Sequence, residues 1–553
     1  MKTQSLCNID IALPPFFGRF ANKATHKLTG TVRTSTVATT HDHKEVTMNT
    51  QRNHTSNVSL QPFFGQSPTL QATTPARIRM FAVLCSFLIF LASAPATWGT
   101  SQCGTPNPAG GRYCVSPQYR FSPELTGAPS VDVLGTGNLN NLYLKFSRAT
   151  NTGGAPLPPA GPNSSPSVIT RAIFASQDDN GNWGLWSYNA PGGGSFGWDT
   201  VTKNPTLSIA YPIRSSPGYP GKNAEPYVYA GGEDGNLYAF GYTTGTLGWT
   251  YTTNDAIDAS PTVSDANEVY IINASGYIYK VDGYSGTSIW PAIASGVLPG
   301  SGTTSASSLS LSDVSCSGSC TWLFAAGTSP SNTGVVKAFD SVTGSSLAKW
   351  TASLPQPVTS SPVVSKPDQL VYVQSRFDYY NGFDGKEIYA LDELTGNVLW
   401  SALPPQVPKP PALPPCPNVV GHYLSGGSPA YDQATETVFA SLEVIYDYSS
   451  CGTVFKNSIL TAYDATRGHN GTVKWSVVIS NPISQSSPTV ANGVVYIGTD
   501  DGYILAFDES NGNPLWTSPK LDSGVFSPPV VGINRIYVVT NLGTLDVFGL
   551  PGY

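Results

Sequence analysis

Ala390-Leu391-Asp392-Glu393-Leu394-Thr395-Gly396-Asn397-Val398-Leu399-Trp400 decides the fold, because an approximate copy of it recurs six more times. The copies end on Trp198, Trp249, Trp290, Trp350, Trp400, Trp475 and Trp516. Ser-Pro pairs open units at Pro166, Pro217, Pro261, Pro362, Pro429, Pro488 and Pro528, and the unit around Leu309 begins without one. From tryptophan to the next Ser-Pro proline is 12 or 13 residues at 249→261, 350→362, 475→488 and 516→528. Self-similarity that keeps phase from residue 160 to the C-terminus is the signature of a repeat architecture.

Within a unit the sequence reads as four short strands. The cleanest is Ser487-Pro488-Thr489-Val490, then Gly493–Gly498, then Tyr503–Asp508, then Pro514-Leu515-Trp516. Asp501-Gly502 and Asn511-Gly512 supply the turns, since glycine accepts the positive φ that tight hairpins require. Each position of the eleven-residue segment has a physical task. The alanine (Ala239, Ala338, Ala390, Ala462, Ala506) is small where neighbouring units approach. The aspartate (Asp282, Asp340, Asp392, Asp464, Asp508) is expected to accept hydrogen bonds from the turn backbone two residues on. The tryptophan is expected between adjacent blades, where about 150–250 Å² of buried aromatic surface supplies docking.

The pattern Ala-x-Asp-x-x-Thr-Gly-x-x-x-Trp resembles the tryptophan-docking repeat of quinoprotein, or PQQ-like, β-propellers, over about residues 140–553. The departures are local. Gly241 replaces the aspartate in unit two and Lys280 the alanine in unit three, units four and six carry extra residues, and unit one (Ser187-Tyr188-Asn189 to Trp198) is degenerate. Seven full units and an eighth that stops before its tryptophan strand leave one blade open, and unpaired strand edges are a liability. The strand-like Leu142-Tyr143-Leu144-Lys145-Phe146 precedes unit one. The sequence therefore predicts an all-β protein: an eight-bladed β-propeller of four-stranded antiparallel blades, closed by this segment.

The resemblance also raises a cofactor question. Quinoprotein alcohol dehydrogenases, as a family, use adjacent cysteines, a calcium held by Glu/Asn/Asp and a catalytic Asp above the quinone. This chain has no Cys-Cys dipeptide and only modest insertions. Asp178, Asp179, Glu233, Asp234, Asp384 and Asp501 lie at hairpin tips, where acidic-Gly turns account for them. His422 and His469 fall in insertions and read as surface residues. No catalytic, cofactor or metal site is assigned. The compact non-enzymatic relatives, which act as protein-binding platforms, are the nearer match, although Cys103 lacks a lipid-attachment context.

Composition agrees with a turn-rich β protein. Gly (55) and Pro (46) approach a fifth of the 553 residues, charged residues are only 12%, and 28 Tyr, 22 Phe and 11 Trp can fill sheet cores. Residues 1–79 hold nine basic against three acidic groups, while residues 101–553 hold 20 basic against 32 acidic. An acidic body excludes nucleic acid as the main partner, since phosphate binding draws on clustered Lys and Arg.

The N-terminal quarter organises into three pieces. Residues 1–79 read as a disordered basic leader, polar and hydroxyl-rich, which is either translated or precedes a true start at Met80. Residues 80–97 carry a short apolar run after Arg77 and Arg79 and end in small residues, the form of a signal peptide. Cleaved, it yields a secreted or extracytoplasmic protein; uncleaved, a single-pass signal anchor with the propeller outside, the only membrane link expected. Residues 98–140 are a Gly/Pro-rich segment before the propeller at 141–553.

Six cysteines fall into near pairs, Cys103/Cys114, Cys316/Cys320 and Cys416/Cys451. In an exported chain these read as disulfides; a zinc site is the rival, but no histidine accompanies any pair. Asn163, Asn273 and Asn470 have the form of glycosylation acceptors.

Two functional expectations follow. The favoured one is an extracytoplasmic propeller, expected to be a monomer, that binds a protein or carbohydrate ligand with one rim. The insertions Phe377–Gly385, Val407–Ser425 and Val444–Phe455 belong to units five and six and are expected to sit together. Their aromatics Phe377, Tyr379, Tyr380, Phe383, Tyr423, Tyr446 and Tyr448 are the candidate contacts, with the cover of their own loops as the competing role. The alternative is a quinone (PQQ)- and calcium-dependent dehydrogenase.

Overall fold

Eight antiparallel sheets follow one another along the chain, and each is built almost entirely from sequence-adjacent strands. The computed structural model describes residues 134–149, 166–168, 170–190, 194–220, 226–300, 306–316, 318–365, 368–375, 386–405, 420–424, 427–448, 453–532 and 534–551. At 313–316, 318–320, 420–424, 446–448 and 453–454 it describes the backbone alone. The chain divides into residues 1–88, outside the described residues, and residues 89–553, which hold the propeller.

The strand chemistry sets the burial. Middle strands such as Ile388–Asp392 and Val494–Gly498 are buried along their whole length, because both faces of a blade pack on neighbours. Their sequences are accordingly runs of Val, Ile, Leu, Tyr and Ala rather than alternations. The outermost strands alternate with solvent instead, as in Trp350–Leu354, where Trp350, Ala352 and Leu354 point inward. Cores therefore lie between blades. Trp350 packs with Val364, Val371 and Leu391 of the following blade, and Trp400 with Tyr431 and Tyr463 of the one after that.

Blade two has three regular strands, Tyr227–Gly231, Asn236–Gly241 and Leu247–Thr252, with an isolated bridge Gly218↔Tyr229 on its inner side. Blade six has five, because Val420–Leu424 and Ala430–Asp432 both pair with Thr437–Tyr448.

The expected closure is present. Tyr143–Ala149 pairs antiparallel with Thr544–Gly549, from Tyr143↔Gly549 to Ala149↔Thr544, with a bulge between Leu144 and Phe146. The strand that leads into blade one is thus the outer strand of blade eight. Polar contacts tie that blade to blade one: Arg148 Nε donates to Gly194 O at 3.1 Å and Arg535 Nη1 donates to Ala190 O at 2.5 Å. Gly194 has φ +74° and leaves room for the Phe146 ring, which a Cβ there would strike. Joining the two ends of the chain in one sheet leaves no blade open.

Alternation of strand direction gives the propeller two unlike faces. The Thr-Gly turns of the repeat and the first-to-second-strand turns share one face. The second-to-third-strand hairpins and the connections between blades share the other.

Candidate functional site

The tryptophans of the repeat make a belt between blades. In each step the indole of one blade lies over the turn glycine of the next: Trp198 over Gly245, Trp249 over Gly286, Trp290 over Gly344, Trp350 over Gly396, Trp400 over Gly471 and Trp475 over Gly512. A Cβ on any of these glycines would lie 2.3–2.7 Å from the ring, and all have φ between +62° and +74°. The small residue at the start of the segment faces its own blade's tryptophan across the outer strand pair, as in Ala390↔Trp400 and Ala506↔Trp516. The aspartates bind their turns: Asp392 Oδ1 accepts from Leu394 N at 3.1 Å and Thr395 N at 2.9 Å, and Asp340, Asp282, Asp464 and Asp508 do the same.

Local charge follows from this role. Burial opposes ionisation of Asp392, but hydrogen bonds from Arg467 and Thr395 outweigh it and hold the carboxyl below its ordinary range. Asp464, bonded by His469 and Thr466, behaves alike.

The repeat's departures fit the belt. Four indoles donate to the residue after the aspartate position of the next blade: Trp198 to Tyr242 O, Trp249 to Gly283 O, Trp350 to Glu393 O and Trp475 to Glu509 O, at 2.6–3.1 Å. Trp290 and Trp400 have no such bond among the described residues, and in each case another donor holds the carbonyl. Lys280 Nζ donates to Ser341 O at 3.1 Å, and Tyr372 Oη to Ala465 O at 2.9 Å. Lys280, which replaces the alanine of unit three, is buried, pairs with Glu268 at 2.8 Å and stands over the Tyr270 ring. Trp516 differs again, meeting Phe548 of blade eight edge-on at 5.4 Å.

A second belt runs through the serines that precede the prolines. Ser216 N donates to Ser260 Oγ, Ser260 N to Ser308 Oγ, Ser308 N to Ser361 Oγ, Ser361 N to Ser428 Oγ and Ser428 N to Ser487 Oγ, at 2.8–3.0 Å. The unit at Leu309 lacks the proline but keeps the serine, Ser308, and so keeps its place in the relay. Proline removes a donor the inner strand does not need there, while serine supplies the inter-blade acceptor.

Both belts are needed once per blade, so neither is a site. The chain departs from the repeat on the face of the hairpins and connections, at blades five and six. There Thr437–Tyr448 and Thr453–Asp464 form a twelve-residue-per-strand hairpin, paired from Thr437↔Asp464 to Tyr448↔Thr453, whereas the only other described strand near that length, Gly318–Thr328 of blade four, extends toward the opposite face. Val420–Leu424, from the connection between the blades, adds to its edge with Val420↔Asp447 and Leu424↔Glu443. Two of the three expected insertions are therefore one sheet.

Tyr423 stands opposite Val444, Tyr446 opposite Gly421 and Phe455, and Tyr448 opposite Thr453. Phe455 is 43% exposed. Phe377, Tyr379, Tyr380 and Phe383 lie outside the described residues, as do Cys103, Cys114, Cys416, Cys451 and Asn163. In the hairpin of blade four, Cys316 is opposite Gly318 and Cys320 opposite Val314.

The two described glycosylation triplets differ. Asn470 is exposed, whereas Asn273 is fully buried, with Nδ2 donating to Asn254 Oδ1 at 2.6 Å and Oδ1 accepting from Tyr277 N at 2.9 Å. In the folded chain both polar atoms of the Asn273 side chain are thus engaged.

At the base of the extended hairpin lie buried acids. Glu387 is fully buried; Tyr463 Oη donates to its Oε2 at 2.5 Å and Gln374 Nε2 to its Oε1 at 3.3 Å. Burial pushes its carboxyl up to about 7, against the pull of those two hydrogen bonds. Glu443, also buried, pairs with Lys456 at 3.1 Å, and burial raises it too.

A family profile described as outer membrane protein assembly factor BamB matches residues 185–315, 317–434 and 456–548, more than half of the chain. The chain belongs to this family. The third matched segment begins at Lys456, beyond the hairpin's tip, and the second ends at Ala434. The BamB-family profile thus passes over most of the extended hairpin, which is where the chain goes its own way.

No curated protein matches the chain in sequence. Solved structures match the fold. A quinohemoprotein alcohol dehydrogenase from Comamonas testosteroni has TM-score 0.57 and 15% identity over 79% of this chain and 82% of its own. A europium-containing methanol dehydrogenase has TM-score 0.52 and 16% identity over 79% and 98%. BamB from Moraxella catarrhalis has TM-score 0.47 and 15% identity over 74% and 100%. At such identity the likeness shows the propeller alone.

The dehydrogenases in that comparison prompt a test of donor chemistry. Among the described residues no three His, Cys, Asp or Glu side chains gather as a metal site, and the sequence has no adjacent cysteine pair. Asp178 Oδ1 accepts from Asn180 N and Asn182 N, and Asp234 accepts from Asn236 N and Tyr238 Oη, so these hairpin-tip carboxylates are engaged in their own turns.

Proposed function

We propose that the chain is an extracytoplasmic protein-binding scaffold whose partner docks on the rim of blades five and six. The observation that carries this is the sheet made by Val420–Leu424 and the extended hairpin of Thr437–Asp464, two insertions of the repeat joined on one face. Such a sheet offers a protein partner two kinds of contact. Backbone groups at a sheet edge can take an extended segment by strand addition, and exposed aromatics such as Phe455 can anchor it. A protein is favoured over a carbohydrate because the family is described by an assembly factor and because the rim's most distinctive feature is backbone, not a cleft. The apolar segment at residues 80–97, with its positive flank and small-residue exit, supports placement outside the cytosol.

Shortening the hairpin tests this reading. Residues 446–455 are excised and Ile445 is joined to Lys456 through Asn-Gly, a turn suited to two-residue hairpins. The blade's own strands stay paired, so the melting temperature is expected to change by only about 1 °C, the shift of roughly 1 kcal/mol at about 2.1 cal/mol/K per residue in a propeller of this size. Stoichiometric co-purification of a partner from the native extracytoplasmic fraction is expected to disappear. Retention of the partner by the shortened chain contradicts the proposal, as does a stoichiometric quinone with calcium-dependent dye reduction in the intact chain.

A further inference from the structure

The seam between blades five and six, on which the proposed rim stands, contains a buried polar cluster that the repeat does not require. Glu387 immediately precedes the third strand of blade five, Ile388–Asp392, and is fully buried. From blade six, Tyr463 Oη donates to Oε2 at 2.5 Å. From the second strand of blade five, Gln374 Nε2 donates to Oε1 at 3.3 Å and to Ser441 O of blade six at 2.9 Å. Tyr463 is the one titratable group bonded to the carboxyl among the described residues. Tyr389 on the same strand turns its Oη to Lys386 N instead. No cation among the described residues pairs with Glu387.

An isolated carboxylate in such a place is costly, and buried charges are normally paired. The hydrogen-bond inventory shows how the cost is avoided. Gln374 is itself fully buried, and its Oε1 has no donor. A carboxylate offers no proton to it; a carboxylic acid offers one. With Glu387 neutral, Tyr463 Oη and Gln374 Nε2 keep their bonds to its oxygens, the acid gains a proton to offer beside the undonated Gln374 Oε1, and the seam holds no net charge.

We propose that Glu387 is a proton-operated latch of the blade five–six seam, closed when its carboxyl is neutral and loosened when it ionises. The inference rests on the proposed rim only for its consequence, that partner affinity follows the latch; the latch itself is a property of the free chain. Its direction follows from the environment. Burial raises the carboxyl from 4.5 to about 7, so closure is strongest below about 4.5, weakens as pH rises to about 7 and is flat above. Other carboxyls raised by burial sit elsewhere: Glu443 and Asp500 near Lys456, Glu509 beside Asp432, and Asp546 in the closing blade. A readout confined to the seam separates Glu387 from these.

Amide hydrogen exchange of the full chain provides that readout. In a peptide covering residues 370–374, which holds none of those carboxyls, and corrected for intrinsic rates, the opening constant is expected to rise up to about tenfold per pH unit between pH 5 and 7 and level off by pH 8. Glu387→Gln is expected to abolish this dependence, because the carboxamide cannot ionise. Tyr463→Phe removes a donor that favours the ionised form, so it is expected to move the plateau to higher pH; it keeps the test open if the Gln variant fails to fold. A pH-independent wild-type seam overturns the latch, as does an unchanged pH profile in Glu387→Gln, or in Tyr463→Phe if that alone folds. None of these outcomes depends on a partner. A latch that holds with a rim that binds nothing leaves the seam assignment standing and removes the scaffold reading.

Discussion

Deleting residues 142–149 is expected to leave a chain that no longer unfolds in one cooperative step. The segment supplies the outer strand of blade eight, pairing from Tyr143↔Gly549 to Ala149↔Thr544, and buries Leu142 and Phe146. Those two side chains alone contribute about 1.5–3 kcal/mol each, before the lost strand ladder is counted. That sum is a large part of the 5–15 kcal/mol that holds a typical domain folded. The deletion also bares the edge of Thr544–Gly549, an invitation to aggregation. Calorimetry and light scattering check this, with a broadened, lowered transition and association expected. An unchanged melting curve would show that the ring does not depend on this strand.

Trp350→Ala is the substitution with the largest expected effect, about 3–5 kcal/mol by denaturant unfolding. The ring is buried between blades four and five, lies over Gly396 and donates to Glu393 O at 2.8 Å. Its removal leaves a cavity, and also a buried carbonyl that has lost its donor. Trp400→Ala makes a useful partner experiment. Trp400 lies over Gly471 in the same way, but Tyr372 already holds the carbonyl of Ala465. Its loss is therefore expected to be milder by about 1 kcal/mol, the net worth of a typical hydrogen bond. Equal effects at the two positions would mean that indole donation adds nothing to blade docking.

The repeat was legible because its physical demands are local. A glycine at positive φ, an aspartate that binds the next turn and a tryptophan of fixed spacing are each written in the segment that uses them. Closure was legible too, since a blade lacking its fourth strand and a stray strand before unit one imply each other. The serine relay was half visible. Ser-Pro recurs as punctuation, but only the structure shows the serine hydroxyl accepting from the preceding blade, and Ser308 does so without any proline. The roles of Lys280 and Tyr372 as rivals of the indoles were hidden, because the carbonyls they take belong to another blade. Glu387 was hidden for the same reason: its partners Tyr463 and Gln374 lie 76 and 13 residues away, and nothing in its own neighbourhood of sequence marks it. The burial of Asn273 was hidden as well, because an acceptor triplet carries no information about burial.

The rim rests on the same logic read in reverse. Features used once per blade serve docking, and a function specific to this chain belongs where blades five and six depart from the pattern. Site-specific photo-crosslinking tests that claim directly. A photoreactive residue is placed at Phe455 on the extended hairpin, and as a control at Leu347, which is 79% exposed on the opposite face. In the native extracytoplasmic fraction the account predicts one discrete protein adduct from position 455 and none from 347. An adduct from 347 with none from 455 would contradict it.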